Sequence, residues 1–195
     1  GGAFKFAGCT SAAARDAPRQ LKLFKAELQR LNGQPEAARR SLQQLMRLHP
    51  DHPQVLQLQV LLDQEQGRQS QAQAELNARF KAMEPGQRVE IGLLLADLLR
   101  QGGAHQAAVN LYRQLAAEQP TNVKPLLALA LLQHERGNVN DVQALLQEAR
   151  QRRDPNGAVD PLIDVLAGHL GLSAARISST KQPGSTAIQA RSGTP

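Results

Sequence analysis

Two histidines and one carboxylate lie within four residues at His49-Pro50-Asp51-His52. Imidazole and carboxylate groups are common metal ligands, so this cluster could hold a metal ion. A protein metal site usually needs three or four ligands and a supporting second shell. We therefore interpret the motif as a turn in which Asp51 caps the following helix, and we predict no metal and no cofactor.

The single cysteine, Cys9, excludes an internal disulfide and any metal site built from several cysteines. It follows Phe6-Ala7-Gly8, which resembles the end of a bacterial lipoprotein cleavage box. Such a box needs a preceding apolar stretch of about 7–15 residues, but only five residues precede Phe6 and Lys5 is one of them. A free thiol on a flexible arm is the default interpretation. Lipidation is the alternative, because the chain opens on Gly and an upstream signal or anchor could have been lost.

Clustered arginines could contact phosphates, and the net charge of +6 makes an acidic partner worth testing. The charge is concentrated at the ends: residues 1–19 and 173–195 carry most of it and leave +1 for residues 20–172. Stacking aromatics are also scarce, so solvated helix faces are the preferred interpretation and nucleic-acid binding the lesser one. The arginines concerned are Arg39, Arg40, Arg150, Arg152 and Arg153.

No arrangement of residues suggests a catalytic nucleophile with its base. His105, His134 and His169 stand apart from any cysteine or serine that the sequence could pair with them. Gly102-Gly103 lacks the lysine of a phosphate-binding loop and is interpreted as a turn between helices. We predict that the chain is not an enzyme.

The elements that position these residues repeat along the chain. Glycines recur at intervals of 34, 36 and 34 residues, and prolines at intervals of 35, which is typical of stacked repeats. Glycine permits the positive φ that ends one helix, and proline marks the boundary between units. With aromatics at only 3%, the core must be built from Leu and Ala, which suits helix packing. The repeating residues are Gly33, Gly67, Gly103 and Gly137, and Pro50, Pro85, Pro120 and Pro155.

Apolar residues at spacings of three and four predict two helices in each unit. A further helix is predicted over about 160–170, with Asp160 as its N-cap and Pro161 at its first turn. It would cover the last hairpin, as the ends of a solenoid require. The predicted helix pairs are 20–31 with 35–48, 53–66 with 69–83, 87–101 with 104–118, and 122–136 with 139–152.

The sequence divides into three parts. Residues 1–18 are predicted to form a flexible N-terminal arm, and residues 19–172 a repeat domain that includes the capping helix. Residues 173–195 are rich in Ser, Thr, Gly and Pro and are predicted to be a disordered basic tail.

The repeated pattern resembles the tetratricopeptide repeat over roughly residues 19–155. The third unit matches best, and the other three depart at one or more positions, such as Val142 in place of the small alanine. The resemblance implies an all-α, right-handed α-solenoid of four helical hairpins plus the capping helix. The matching residues of the third unit are Leu95, Ala96, Leu99, Gly103, Ala108, Tyr112 and Pro120.

The resemblance also implies a concave groove lined by the first helix of each hairpin. Chaperone-binding members of the family clamp a terminal carboxylate with Lys and Asn, but the corresponding positions here are about Gln20, Phe24, Gln54 and Leu58. None of these is cationic, so the expected ligand is an apolar or amphipathic segment of another protein. The predicted groove residues are Leu23, Gln57, Leu61, Gln64, Leu93, Asp97, Arg100, Leu127, Leu131 and His134.

The function implied by the resemblance is a non-catalytic scaffold for protein–protein interaction. Similar bacterial, and in particular cyanobacterial, members suggest an assembly factor for a membrane complex, associated with a thylakoid or envelope membrane. The alternative is a structural envelope lipoprotein or a self-associating subunit. The partner, the oligomeric state and the compartment are left open by the sequence.

Overall fold

The computed structural model describes residues 12–172 of the 195-residue chain, and within them it contains nine helices and no strand. The predicted all-α fold of helical hairpins is confirmed. Residues 1–11 and 173–195, which include Cys9 and the predicted basic tail, lie outside the described part. The helices are α1 (Ala12–Leu31), α2 (Pro35–Leu48), α3 (Pro53–Glu65), α4 (Gln69–Ala82), α5 (Val89–Gln101), α6 (His105–Glu118), α7 (Lys124–Glu135), α8 (Val139–Gln151) and α9 (Leu162–His169).

The described residues form two compact units, unit 1 up to Glu118 and unit 2 from Gln119 onward. Unit 1 contains three hairpins, α1/α2, α3/α4 and α5/α6, and unit 2 contains the hairpin α7/α8 with α9 packed on α8. Each hairpin turns at a glycine of the predicted series, with φ between 68° at Gly33 and 78° at Gly103. Only glycine adopts this backbone region without strain, which is why the sequence period marks the turns.

Leucine and alanine form the core of unit 1, as predicted from the composition. Leu42 and Leu45 of α2 pack with Val55 and Leu62 of α3, and all four are at most 2% exposed. In the third hairpin, Gly92 of α5 lies against Leu115 of α6 and Phe80 of α4. A Cβ atom at that position would lie 2.5 Å from Cδ2 of Leu115 and 2.9 Å from Cε2 of Phe80. The glycine therefore lets α5 pack tightly against both α4 and α6.

Two carboxylates with little solvent exposure, Asp63 and Glu118, form ion pairs in unit 1. Asp63, which is 3% exposed, accepts from Arg39 at 3.0 Å and lies 3.3 Å from Arg68. Arg88 donates to both carboxylate oxygens of Glu118 at 3.0 and 2.6 Å.

The Arg88–Glu118 ion pair joins two charges, each of which interacts unfavourably with the dipole of its own helix. Arg88 precedes the positive end of α5, and Glu118 is the last residue of α6, at its negative end. The hairpin is antiparallel, so it places the two charges side by side. Arg88 also lies 4.2 Å from the ring centre of Phe80 and donates to the Phe80 carbonyl at 3.3 Å.

In unit 2, Ile163 and Ala167 of α9 are buried, at 0% and 3% exposure. The Asp160 carboxylate accepts from the Leu162 amide at 2.9 Å, but the N-cap of α9 is Pro161 and not the predicted Asp160, because the helix begins only at Leu162. Arg150 of α8 and Asp164 of α9 form an ion pair at 2.5 Å that joins the two helices.

The predicted start of the first helix was wrong. α1 begins at Ala12 rather than at residue 20 and includes Pro18, so residues 12–18 of the predicted flexible arm are helical. Proline normally disrupts a helix interior because it lacks the N–H group and crowds the preceding turn. No helix in the described residues is both long enough and apolar enough to cross a membrane.

Candidate peptide-binding groove

The first helices of the three hairpins in unit 1 lie side by side, with α1 against α3 and α3 against α5. Side chains link each pair near the ends of the helices. Arg30 donates to Glu65 at 2.5 Å, and Gln64 donates to Gln101 at 2.7 Å. Both bonds run from one first helix to the next, so the same kind of contact recurs one repeat later.

A cleft of about 250 Å³ lies between α1 and α3. This volume is below the roughly 300–1,000 Å³ of small-molecule sites, so the cleft suits individual side chains of a larger ligand. Leu23 is buried, Leu61 is half-buried, and Gln57 is exposed beside them. These three predicted groove residues therefore come together. The complete lining is Gln20, Leu23, Phe24, Glu27, Gln54, Gln57, Leu58 and Leu61.

The four positions that correspond to the carboxylate clamp, Gln20, Phe24, Gln54 and Leu58, meet in this same cleft. Gln20 donates to Gln54 at 3.3 Å, and the only charged residue of the lining is Glu27. A cleft with amides, apolar side chains and one carboxylate repels an acidic terminus and can accept apolar side chains.

The predicted polar residues on α5 are engaged with one another. Arg100 donates to Asp97 Oδ1 at 3.0 Å from Nε and at 2.7 Å from Nη2. Gln101 donates to Asp97 Oδ2 at 2.6 Å and accepts from Gln64. Asp97, Arg100 and Gln64 thus belong to one network that also joins α3 to α5. Leu93 is half-buried on the same helix.

The remaining predicted groove residues lie on α7 in unit 2. Leu131 is 41% exposed and His134 is exposed, whereas Leu127 is 8% exposed. Leu127 therefore contributes mainly to the core of unit 2, and Leu131 and His134 offer the accessible surface.

The motif His49-Pro50-Asp51-His52 forms the turn between α2 and α3, and one of its side chains is hydrogen-bonded to α4. Asp51 does not cap α3, contrary to the prediction, because its Oδ1 accepts from Arg79 of α4 at 3.0 Å. Burial lowers the pKa of His52, and the nearby cations Arg19 and His49 lower it further. Residues 12–172 hold no group of three His, Cys, Asp or Glu side chains placed for a metal.

Three of the arginines considered as phosphate contacts are paired with carboxylates of the chain itself. Arg39 binds Asp63, Arg150 binds Asp164, and Arg152 lies 3.1 Å from Glu148. This pairing favours the interpretation as structural surface charges. Nucleic-acid contact through the terminal segments concerns residues outside the described part.

Two family models match the chain, both described as tetratricopeptide repeat, one over residues 98–163 and one over residues 25–52. The chain contains tetratricopeptide repeats. It is similar to the crystal structure of a tetratricopeptide repeat protein from Parabacteroides merdae ATCC 43184, with 18% sequence identity and a TM-score of 0.49. That similarity covers 77% of this chain and 58% of the other, so the chain spans less than two thirds of its length. The comparison with curated proteins gave no match.

Tetratricopeptide repeats generally act as scaffolds that bind other proteins, and their fold is typically non-catalytic. The predicted groove residues did not include Gln20, Phe24, Gln54 or Leu58, although all four line the cleft. The resemblance to the family assigns each of them to a position of the carboxylate clamp, and this is the signal that indicates a place in the groove.

Proposed function

We propose that this protein is a non-catalytic interaction scaffold that binds an apolar or amphipathic segment of another protein on the face formed by α1, α3 and α5. The observation that supports this most strongly is the cleft between α1 and α3. Its lining combines apolar side chains with three glutamines and contains no cation.

The cleft matches the chemistry of a peptide rather than that of a small charged ligand. Leu23, Phe24, Leu58 and Leu61 can receive an apolar side chain and exclude water from it. Glutamine amides such as Gln57 both donate and accept hydrogen bonds, so they can pair with the peptide groups of an extended segment or the polar side of a helix. Apolar anchors then supply most of the affinity, and the amides set the orientation.

The proposed contact surface continues over α5, where Leu93 offers a half-buried apolar surface. A ligand that reaches Asp97 and Arg100 has to replace or extend their existing hydrogen bonds. We therefore assign Leu61 and Leu93 the role of anchors and treat the Asp97 network as a rigid border. In unit 2 by itself, the predicted groove residues Leu131 and His134 on α7 are exposed and Leu127 is buried.

The experiment is selection of binding peptides from an unbiased displayed library against the full 195-residue chain. We expect enriched peptides to carry large apolar residues and few acidic ones. Their affinity should fall at least tenfold for Leu61→Glu, because a charge would replace a half-buried cleft residue. Leu48→Glu is the matched control, since Leu48 is 60% exposed at the end of α2 and does not line the cleft.

Two outcomes would contradict the proposal. One is enrichment of peptides that end in acidic residues, which would show that the cleft accepts a carboxylate after all. The other is equal loss, or equal retention, of peptide binding in Leu61→Glu and Leu48→Glu when both variants keep the wild-type helical spectrum. Either result would move the binding site away from the cleft.

A role as an assembly factor for a membrane complex is the more specific form of this proposal. Its support is the character of the cleft, which suits an apolar or amphipathic segment. Affinity purification from a membrane-containing lysate with the wild-type chain and Leu61→Glu tests it. A membrane-complex subunit retained by the wild type and lost with the variant is the expected result, and retention of the same proteins by both baits would refute it.

A further inference from the structure

Helix α1 exposes a stripe of large apolar side chains. Leu21, Phe24, Leu28 and Leu31 are 69%, 59%, 41% and 65% exposed. Their spacing of three, four and three residues places them on one face of the helix. We call these four residues the α1 stripe. The buried side chains of the same helix, Leu23 and Ala26, lie on a different face.

The residues of α3 and α5 that are equivalent to Leu21 and Leu28 are buried rather than exposed. Leu21 corresponds to Val55 of α3 and Leu28 to Leu62, both at 0% exposure. These two residues are buried because α2, from the preceding hairpin, packs against α3.

The same holds one repeat later, at Ile91 and Leu98 of α5, each 2% exposed where α4 packs against α5. Within residues 12–172, no helix packs against the corresponding face of α1. Leu21 and Leu28 of the α1 stripe therefore have the residue types and the register of a surface that receives another helix, whereas Leu31 corresponds to exposed Glu65 and Gln101.

We propose that a second copy of this chain covers the α1 stripe, and that the two α1 helices pair in parallel about a two-fold axis. Alternating spacings of three and four residues form the seam of paired helices. Such a seam is self-complementary, so a two-fold contact needs no other surface.

The charges beside the α1 stripe favour the parallel arrangement. At 100° per residue, Lys25 lies on one border of the stripe and Glu27, whose carboxylate is also 3.9 Å from Arg30 of its own helix, lies on the opposite border. A parallel two-fold pair brings Glu27 of one copy beside Lys25 of the other. An antiparallel pair brings each of these residues next to its own counterpart, which places like charges together.

The area of the α1 stripe is that of a standard interface. At roughly 150–250 Å² for a large apolar side chain, the exposed fractions amount to roughly 350–600 Å² of apolar surface on each copy. A standard interface buries about 800 Å² per partner, of which about 57% is apolar, or roughly 450 Å². The polar residues on the two borders supply the remainder.

The first test is the oligomeric state of the full chain, measured by sedimentation over about two decades of concentration. We expect a reversible dimer whose dissociation constant rises at least tenfold in Leu21→Glu/Leu28→Glu. Leu48→Glu and Leu61→Glu are expected to leave it unchanged, the latter because it lies in the cleft and not on the α1 stripe. Phe24 and Glu27 adjoin both surfaces because they also line the cleft, so neither is changed in these variants. A failure of peptide binding and a failure of dimerisation can thus be told apart.

The second test determines the direction of the helices by disulfide formation in a Cys9→Ser background. A parallel pair places the two copies of residue 21 side by side, so Leu21→Cys alone should form a covalent dimer, and so should Leu31→Cys alone. An antiparallel pair would cross-link only when the Leu21→Cys and Leu31→Cys chains are mixed.

Four results would overturn the proposal. The first is a monomer at every concentration, and the second is a dimer that survives Leu21→Glu/Leu28→Glu. The third is cross-links that appear only when the Leu21→Cys and Leu31→Cys chains are mixed. The fourth is a monomer that dimerises only after residues 1–11 are deleted, which would show that the chain's own N-terminal segment covers the α1 stripe.

Discussion

Replacing Gly92 by alanine tests the packing that holds α5, and with it Leu93, in place. The substitution should raise the free energy of unfolding through helix propensity, a conformational gain, because alanine in a helix interior is favoured over glycine by about 0.8–1.0 kcal/mol. The loss is steric, because the new methyl would lie 2.5 and 2.8 Å from the two δ-carbons of Leu115 and 2.9 Å from Phe80. Leu115 is fully buried, so neither side chain can move out of the way without displacing others.

Overpacking of this kind typically costs about 1–3 kcal/mol. The steric loss therefore exceeds the conformational gain, and we expect Gly92→Ala to lower the free energy of unfolding by about 1 kcal/mol, or Tm by about 2–4 °C. Urea unfolding followed by circular dichroism measures the change. Gly168→Ala is the matched control: Gly168 is also helical, but a Cβ atom there meets nothing within 4 Å.

The control should keep the conformational gain and become more stable by up to about 1 kcal/mol. Combining Gly92→Ala with Leu115→Ala should cost clearly less than the sum of the two single changes, because the smaller residue at 115 makes room for the added methyl. A Gly92→Ala variant that is as stabilised as Gly168→Ala, or strictly additive effects in the double variant, would refute this account of the packing.

Two further predictions concern the ion pairs of unit 1. Hydrogen bonds from Arg88 hold the pKa of Glu118 below its usual value of 4.5, so the pair stabilises the fold above that pH, and the contribution is lost as the pH falls through the folded-state pKa. The difference in unfolding free energy between wild type and Glu118→Gln should therefore be constant near neutrality and shrink below about pH 4.5; a difference that grows on acidification would contradict it. Asp63→Ala should destabilise by about 2–4 kcal/mol in urea unfolding, because Arg39 and Arg68 lose a buried partner. Exposed Asp51→Ala, the control, should cost under about 1 kcal/mol, and equal effects of the two changes would count against the burial argument.

The hairpins could be predicted from the sequence because the decisive signals are local. A positive φ at Gly33, Gly67, Gly103 and Gly137 depends on the residue itself, so the glycine period located every turn within a hairpin. The start of α1 could not be predicted in the same way. Pro18 is unfavourable within a helix, yet α1 continues through it to Ala12.

Long-range ion pairs could not be predicted from the sequence, because they depend on how the hairpins pack. Arg88 and Glu118 are 30 residues apart, and Arg39 and Asp63 are 24 apart, so no spacing rule for a single helix connects them. Asp51 illustrates the same limit: its position before Pro53 suggested a helix cap, but the packed structure places Arg79 beside it. In the candidate groove, the sequence could identify the face of the first helices. It could not distinguish accessible Leu61 and Leu131 from Leu127, which is turned into the core.

The central claim, that the cleft between α1 and α3 receives a segment of another protein, is tested most directly by photo-crosslinking from Gln57 in the cell. A photoreactive residue at the exposed Gln57 should capture a partner. Capture should disappear when Leu61→Glu is added, and the same probe at Gln43, exposed on α2, should not capture that partner. Equal capture from the two positions, or capture at Gln57 that is unaffected by Leu61→Glu, would contradict the claim.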